Sequence, residues 1–96
     1  MTTVQWTERA YSDLDAIHAF IEADSPHYAS VVVRRLLQAV ERLYDFPLSG
    51  RWVPEYTNPA VREVILRPYR IVSRIVSDTE LHVLTVHHGS RGALEL

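Results

Sequence analysis

The stretch "VREVILRPYRIVSRIVSDTELHVLTVHH" (61–88) decides the fold. It divides into three β-branched runs, 61–66, 69–76 and 81–88. "RP" (67–68) separates the first two, and the turn signal "SDTE" (77–80) separates the second from the third. Links this short join strands only as antiparallel neighbours, because a parallel return needs a crossover of a dozen residues or more. Alternation then sorts side chains onto two faces. Tyr69, Ile71, Ser73 and Ile75 form the better core face. Arg70, Val72, Arg74 and Val76 form the other, with the two arginines about 13 Å apart along an extended strand. A face that interleaves arginine with valine is half-covered. Either a partner docks there, or the arginines pair with acids such as Glu55 or Glu63.

Working backwards, "FPLSGRWVPEYTNPA" (46–60) holds three prolines and a glycine and reads as a loop. Before it lie two amphipathic helices. Thr7 is the expected N-cap of the first, with Glu8 in the first turn, where the helix dipole favours an acid. Ala10, Leu14, Ile17 and Ile21 recur at helical spacing, which predicts a helix over about 7–24. Ser25 and Pro26 open the second, with Ser25 as cap and Pro26 where no amide donor is needed. Ala29, Val33, Leu36, Val40 and Leu43 form its stripe, and Pro47 ends it, giving about 26–46. So short a break predicts an antiparallel helical hairpin. "TVQW" (3–6) is a short strand ahead of it. The chain therefore reads as one α+β domain, 1–96, in the order β-αα-βββ, an antiparallel sheet with the hairpin packed on one face.

The bulk numbers exclude several classes. The 96 residues suit a single modest core. There is no cysteine, hence no disulfide and no thiolate zinc site, which fits a cytoplasmic protein. No stretch approaches the ~18 apolar residues of a membrane span, and the opening residues lack a signal-peptide pattern. A net charge of −2 does not suit a nucleic-acid binder. All ten basic residues are arginine, however, and eight of them fall within residues 34–74 against four acids, while residues 1–33 hold one against five. Arginine is the side chain suited to forked contacts with carboxylate or phosphate.

The adjacent His87 and His88 invite an acid–base or metal reading. On an unbroken strand His87 sides with Leu81, Val83 and Thr85, and His88 with His82, Leu84 and Val86. They then point to opposite faces and cannot grip one ligand unless a bulge intervenes. A single histidine acting as general acid remains open. His18 and His27 lack ligand spacing, so neither metal nor cofactor is expected.

Taken in order, "W-T-x-x-A" (6–10), "DL" (13–14), "FPLSGR" (46–51), "PE" (54–55), "REVILRPYRIVSRI" (62–75) and "ELHVLTVHHGSR" (80–91) resemble the ParE/RelE toxin superfamily over nearly the whole chain, and its ParE-like branch most. The resemblance implies a toxin of a bacterial type II toxin–antitoxin module, often a plasmid-stabilisation system. It implies neutralisation by a ParD-like antitoxin with a ribbon-helix-helix DNA-binding region and a tail, so that operator DNA is met only through the antitoxin. ParE-type members are associated with inhibition of DNA gyrase, and RelE-type members with ribosome-dependent mRNA cleavage.

For the nuclease, the resemblance carries Arg70 and Arg91 across, with Glu63 and His87 or His88 as possible acid–base groups. It departs at Glu63 and Ile65, where RelE places lysines, and no tyrosine stands among residues 92–96. For a gyrase-binding toxin, Arg70, Arg74, Arg91, Tyr69 and Trp52 offer the target surface. Val32, Leu37 and Tyr44 are the apolar positions assigned to the antitoxin tail, with core packing as their other reading. The expectation is a non-enzymatic gyrase inhibitor, ahead of an mRNA endonuclease or a non-toxic relic that still binds antitoxin.

Overall fold

The computed structural model describes residues 2–96. The elements are β1 (Thr3–Trp6), α1 (Glu8–Glu22), α2 (Pro26–Glu41), a 3-10 turn at Arg42–Tyr44, β2 (Arg51–Trp52), β3 (Val61–Leu66), β4 (Tyr69–Ser77) and β5 (Glu80–His88). Both helix starts follow the capping reading. The Thr7 side chain accepts from the Ala10 amide at 3.1 Å, and Ser25 accepts from the Tyr28 amide at 3.1 Å. The second helix is shorter than expected. It tightens into 3-10 geometry at Arg42, as helices do where a proline lies just ahead.

The sheet runs β1-β5-β4-β3-β2, with the hairpin on one face. The β3-β4-β5 meander is antiparallel as expected. Two features differ from the reading of the sequence. β1 joins β5 in parallel, Thr3 opposite Glu80 through Trp6 opposite Val83, so the sheet is mixed. The 46–60 loop contributes a two-residue edge strand, with Arg51 opposite Glu63 and Trp52 opposite Arg62. Gly50 makes that edge possible. A Cβ there would stand 3.0 Å from the Glu63 carbonyl and 3.1 Å from the Arg62 Cβ.

The main core lies between hairpin and sheet. It is built of Ala10, Val32, Leu36, Val40 and Leu43 against Tyr69, Ile71, Leu81, Val83 and Val86. Val32 belongs to this core, at 7% exposure, whereas Leu37 and Tyr44 are exposed. A smaller cluster, Val53, Val61, Val72 and Leu94, closes the opposite face. That face is half-covered, as its composition implies, but the cover is the chain's own loop and tail. Gly92, at φ +68°, supplies the left-handed turn that brings Leu94 back onto the sheet.

One irregularity in β5 sets which way its last side chains face. Thr85 pairs with Val72 and Val83 with Ser73, which leaves Leu84 as the extra residue of a bulge. Leu81 and Val83 face the helices, and beyond the bulge Val86 does so too.

Candidate functional site

The second sheet face carries a chain of four charges. Glu63, in the middle of β3, is 1% exposed. One carboxylate oxygen accepts from Arg51 Nε at 2.7 Å and the other from Arg70 Nε at 2.7 Å. A carboxylate this buried is tolerable only when both oxygens are paired. Arg70 uses its remaining two nitrogens on Glu55, each at 2.7 Å, in a forked pair. The Arg70 fork holds the Glu55 carboxyl down at about 2 against a partial opposing effect of burial, and Glu55 with Glu63 raises Arg70 in turn. Both acids that the sequence offered as partners for these arginines are bound to Arg70. Arg74 is exposed.

The bulge corrects the histidine assignment. His87 and His88 do point to opposite faces, but on the sides exchanged relative to Leu81 and Val83. His87 stands opposite Arg70 in register, and its Nε2 lies 3.3 Å from the Gly92 carbonyl. His88 stands opposite Tyr69 and packs edge-on against its ring, with centroids 5.4 Å apart at 90°.

The bulge is pinned from the helices. The Asp13 carboxylate of α1 accepts from the Thr85 hydroxyl and, at 3.0 Å, from the Val86 amide. The Thr7 hydroxyl, at the head of the same helix, donates to the Val83 and Leu84 carbonyls at 3.0 Å each.

On the helix side, the end of the sheet and the hairpin leave a cleft of about 430 Å³. Its floor includes Ile17, Val32, Tyr69 and Val86, and Arg9, Arg35, Arg67 and Arg91 stand around it. Arg91 lies over the Phe20 ring, 5.0 Å from its centroid. Burial raises the Tyr69 phenol, with nearby Tyr28 adding to the rise and Arg91 opposing it.

The residues singled out in the sequence therefore do not form one site. Arg70, Glu63 and the His87 ring share the second face, while Arg91, Tyr69 and His88 belong to the cleft on the helix side, whose lining His87 also reaches. Trp52 is exposed at the β2 edge, with the Arg62 guanidinium 6.0 Å from its ring centroid. Leu37 and Tyr44 line a separate hollow with Trp6 beside β1, away from Val32. Reading the sequence missed Asp13 as the bulge clamp and missed Arg9, Phe20 and Arg35 as cleft residues. For the three on α1, Arg9, Asp13 and Phe20, a signal was present in the spacing. Arg9, Asp13, Ile17 and Phe20 recur every three or four residues and so share one helix face.

Among the described residues, no group of three histidine, aspartate or glutamate side chains could hold a metal. None of the described helices is long and apolar enough to cross a membrane.

A family model described as the ParE toxin of the type II toxin–antitoxin system parDE matches residues 4–92. The chain belongs to the ParE toxin family. Y4kP of Sinorhizobium fredii (strain NBRC 101917 / NGR234), named a putative toxin, is 44% identical over 87 residues, covering 88% of this chain and 85% of that protein. Toxin RelE2 of Caulobacter vibrioides is 32% identical over 91 residues, covering 95% and 99%. A solved structure titled "Chromosomal ParDE TA system from P. aeruginosa" superposes with a TM-score of 0.75 at 26% identity, covering 92% of this chain and 96% of that one. This ParE-family chain is thus a toxin of the type II toxin–antitoxin class, and its two helices on a five-stranded sheet match a ParE-family relative in fold.

Proposed function

We propose that this toxin acts by binding DNA gyrase and is held inactive by a ParD-like antitoxin, through which alone it meets operator DNA. The observation that carries this reading is the division of the two arginines. A ribonuclease needs a phosphate-binding cation and a proton donor converging on one bond. Here Arg70 is spent on Glu63 and Glu55, and Arg91 stands on the other side of the sheet over Phe20. A binding toxin needs only exposed anchors, and Arg74, Arg91 and Trp52 supply them. The exposed Leu37 and Tyr44 beside β1 suit the antitoxin.

The test is a supercoiling and DNA-cleavage assay with purified protein. Inhibited supercoiling or trapped cleaved DNA is the expected result, and unchanged gyrase activity sinks the target. One observation favours the nuclease reading enough to test it in parallel. Arg70 and His87 are directly opposite on adjacent strands, on one face with Glu63. New transcript 5′ ends after induction, mapped by primer extension, would establish that reading instead.

A further inference from the structure

The stretch "HHGSR" (87–91) closes β5, and the second-face charge network makes no use of its serine. We propose that Ser90 is a phosphorylation site. His88 readies its hydroxyl for a phosphoryl group that a kinase delivers from a nucleoside triphosphate, and Arg67 and Arg91 then hold the phosphate.

Three observations support it. First, the hydroxyl faces a base. Ser90 Oγ lies 2.8 Å from His88 Nδ1, and the Ser90 amide donates to the same nitrogen at 3.3 Å. A ring nitrogen that accepts an amide proton carries none of its own, so neutral His88 keeps its proton on Nε2 and the hydroxyl donates to Nδ1. The Tyr69 ring steadies the imidazole edge-on. Other hydroxyls are committed differently. Ser25 accepts from an amide, Ser30 donates to a carbonyl, and Thr85, which does meet a carboxylate, is buried. Ser90 is exposed.

Second, cations stand ready for the product. The Gly89 amide donates to the Pro68 carbonyl at 2.8 Å, and a Cβ on Gly89 would come within 3.2 Å of that oxygen. The glycine thus lets the Ser90 turn lie against the turn that carries Arg67, and Arg91 follows directly. Both arginines are exposed, and among the described residues neither is held in an ion pair. A phosphoserine brings about −1.5 to −2 charges and strong acceptor oxygens, which guanidinium forks match. An acyl ester at the same oxygen is neutral and gains nothing from them.

Third, the turn suits an acceptor and not a hydrolase. The Gly89, Ser90 and Arg91 amides are spent on the Pro68 carbonyl, His88 Nδ1 and the His88 carbonyl, so the turn has no paired donors left to hold an oxyanion.

In the step itself, Ser90 Oγ bonds to the γ-phosphorus. The bond from that phosphorus to the bridging oxygen breaks, and the nucleoside diphosphate leaves with the electron pair. The hydroxyl proton passes to His88 Nδ1 and then to water. The consequence rests on the reading that Arg91 meets the target: a phosphate drawn onto Arg91 cancels its charge and silences the toxin.

The tests use the full chain. Long-range ¹H–¹⁵N spectra are expected to place the proton of neutral His88 on Nε2, and an Nδ1–H tautomer overturns the proposal. Incubated with γ-³²P-labelled ATP and an extract of the bacterium that encodes it, the protein should carry label on Ser90. Ser90→Ala should lose that label. His88→Asn, which keeps a hydrogen-bonding group but no base, should slow it at least about tenfold. Thermal melts certify that both variants are folded. No label, or label only elsewhere, overturns the site, and labelling of His88→Asn at the wild-type rate overturns the part given to His88. With phosphoserine incorporated at position 90, the ³¹P titration midpoint should lie about half a unit or more below that of a phosphoserine in a short peptide. Arg67→Gln/Arg91→Gln should restore it. A peptide-like midpoint in the wild-type background overturns the capture by arginine.

A last arm separates this inference from the gyrase reading. The phosphoserine form is expected to lose the gyrase inhibition that the unmodified chain shows. Equal inhibition by both overturns the regulatory consequence. Inhibition by neither overturns the gyrase reading instead, while the labelling and ³¹P results decide the site on their own.

Discussion

Glu63 and Arg70, seven residues apart in sequence and on adjacent strands, are joined by a 2.7 Å bond, and the Glu63 side chain is closed off from solvent. Arg70 then turns its two outer nitrogens to Glu55, and Arg51 closes the far oxygen of Glu63. The most conspicuous arginine of the sheet is thus a structural member before it is anything else.

Arg70→Ala is therefore expected to destabilise the fold by about 3 kcal/mol, since it strips one oxygen of a buried carboxylate of its partner. Urea unfolding measures it. The paired replacement Glu63→Leu/Arg70→Met should recover most of the loss, because two apolar groups leave no stranded charge. A double variant no more stable than Arg70→Ala would show that shape, not charge, holds this part of the sheet. Loss of toxicity in Arg70→Ala says nothing about target contact until this is known.

Glu55 should titrate near 2, far below its ordinary 4.5. A depressed carboxylate adds stability above its unfolded value, and that stability drains away as pH falls towards the folded one. Glu55→Gln should therefore lose stability relative to wild type at neutral pH, with the gap closing between about 4.5 and about 2. Because Glu55 is well exposed, the gap is small. Carboxyl ¹³C shifts read the midpoint directly, and a midpoint at about 4 or above would mean the fork to Arg70 is not populated in solution.

Asp13→Ala removes the acceptor for the Thr85 hydroxyl and the Val86 amide together. We expect a loss of about 1–3 kcal/mol, with Asp13→Asn milder because it keeps one acceptor oxygen. Hydrogen exchange should locate the damage. Protection falls at Val86 first, while β3 stays protected. Uniform loss across the sheet would assign Asp13 to global stability instead of to the bulge.

Arg91→Ala should leave folding almost unchanged, within about 1 kcal/mol, since the residue is exposed and held by the Phe20 ring. Toxicity on induction should nevertheless fall. Full growth arrest by the variant would make Arg91 bystander surface.

The strands of the meander were legible because "RP" and "SDTE" bracket β-branched runs, and the helices because Thr7, Ser25 and Pro26 carry their caps in sequence. What stayed hidden was non-local. Nothing in "TVQW" says that its neighbour is the last strand or that the pairing is parallel. The bulge at Leu84 leaves no mark in an apolar run whose every residue suits a strand, and a one-residue slip exchanges the faces of both histidines. The cleft was hidden for the same reason. Arg9, Arg35, Arg67 and Arg91 come from four separate segments, and only their assembly makes them one cationic surface.

The parallel seam between β1 and β5 also sets an order of events at the ribosome. Thr7, next to β1, must find Val83, 76 residues later, before the first strand has a neighbour. Until β5 emerges, the helical hairpin has only part of the sheet to rest on, and the bulge that Asp13 and Thr7 clamp does not exist. Closing so distant a contact is slow compared with forming the hairpin. The folded surface, Arg91 included, therefore waits on β5. A chain built this way keeps the face that carries Arg91 unformed until the two distant strands of that seam have met.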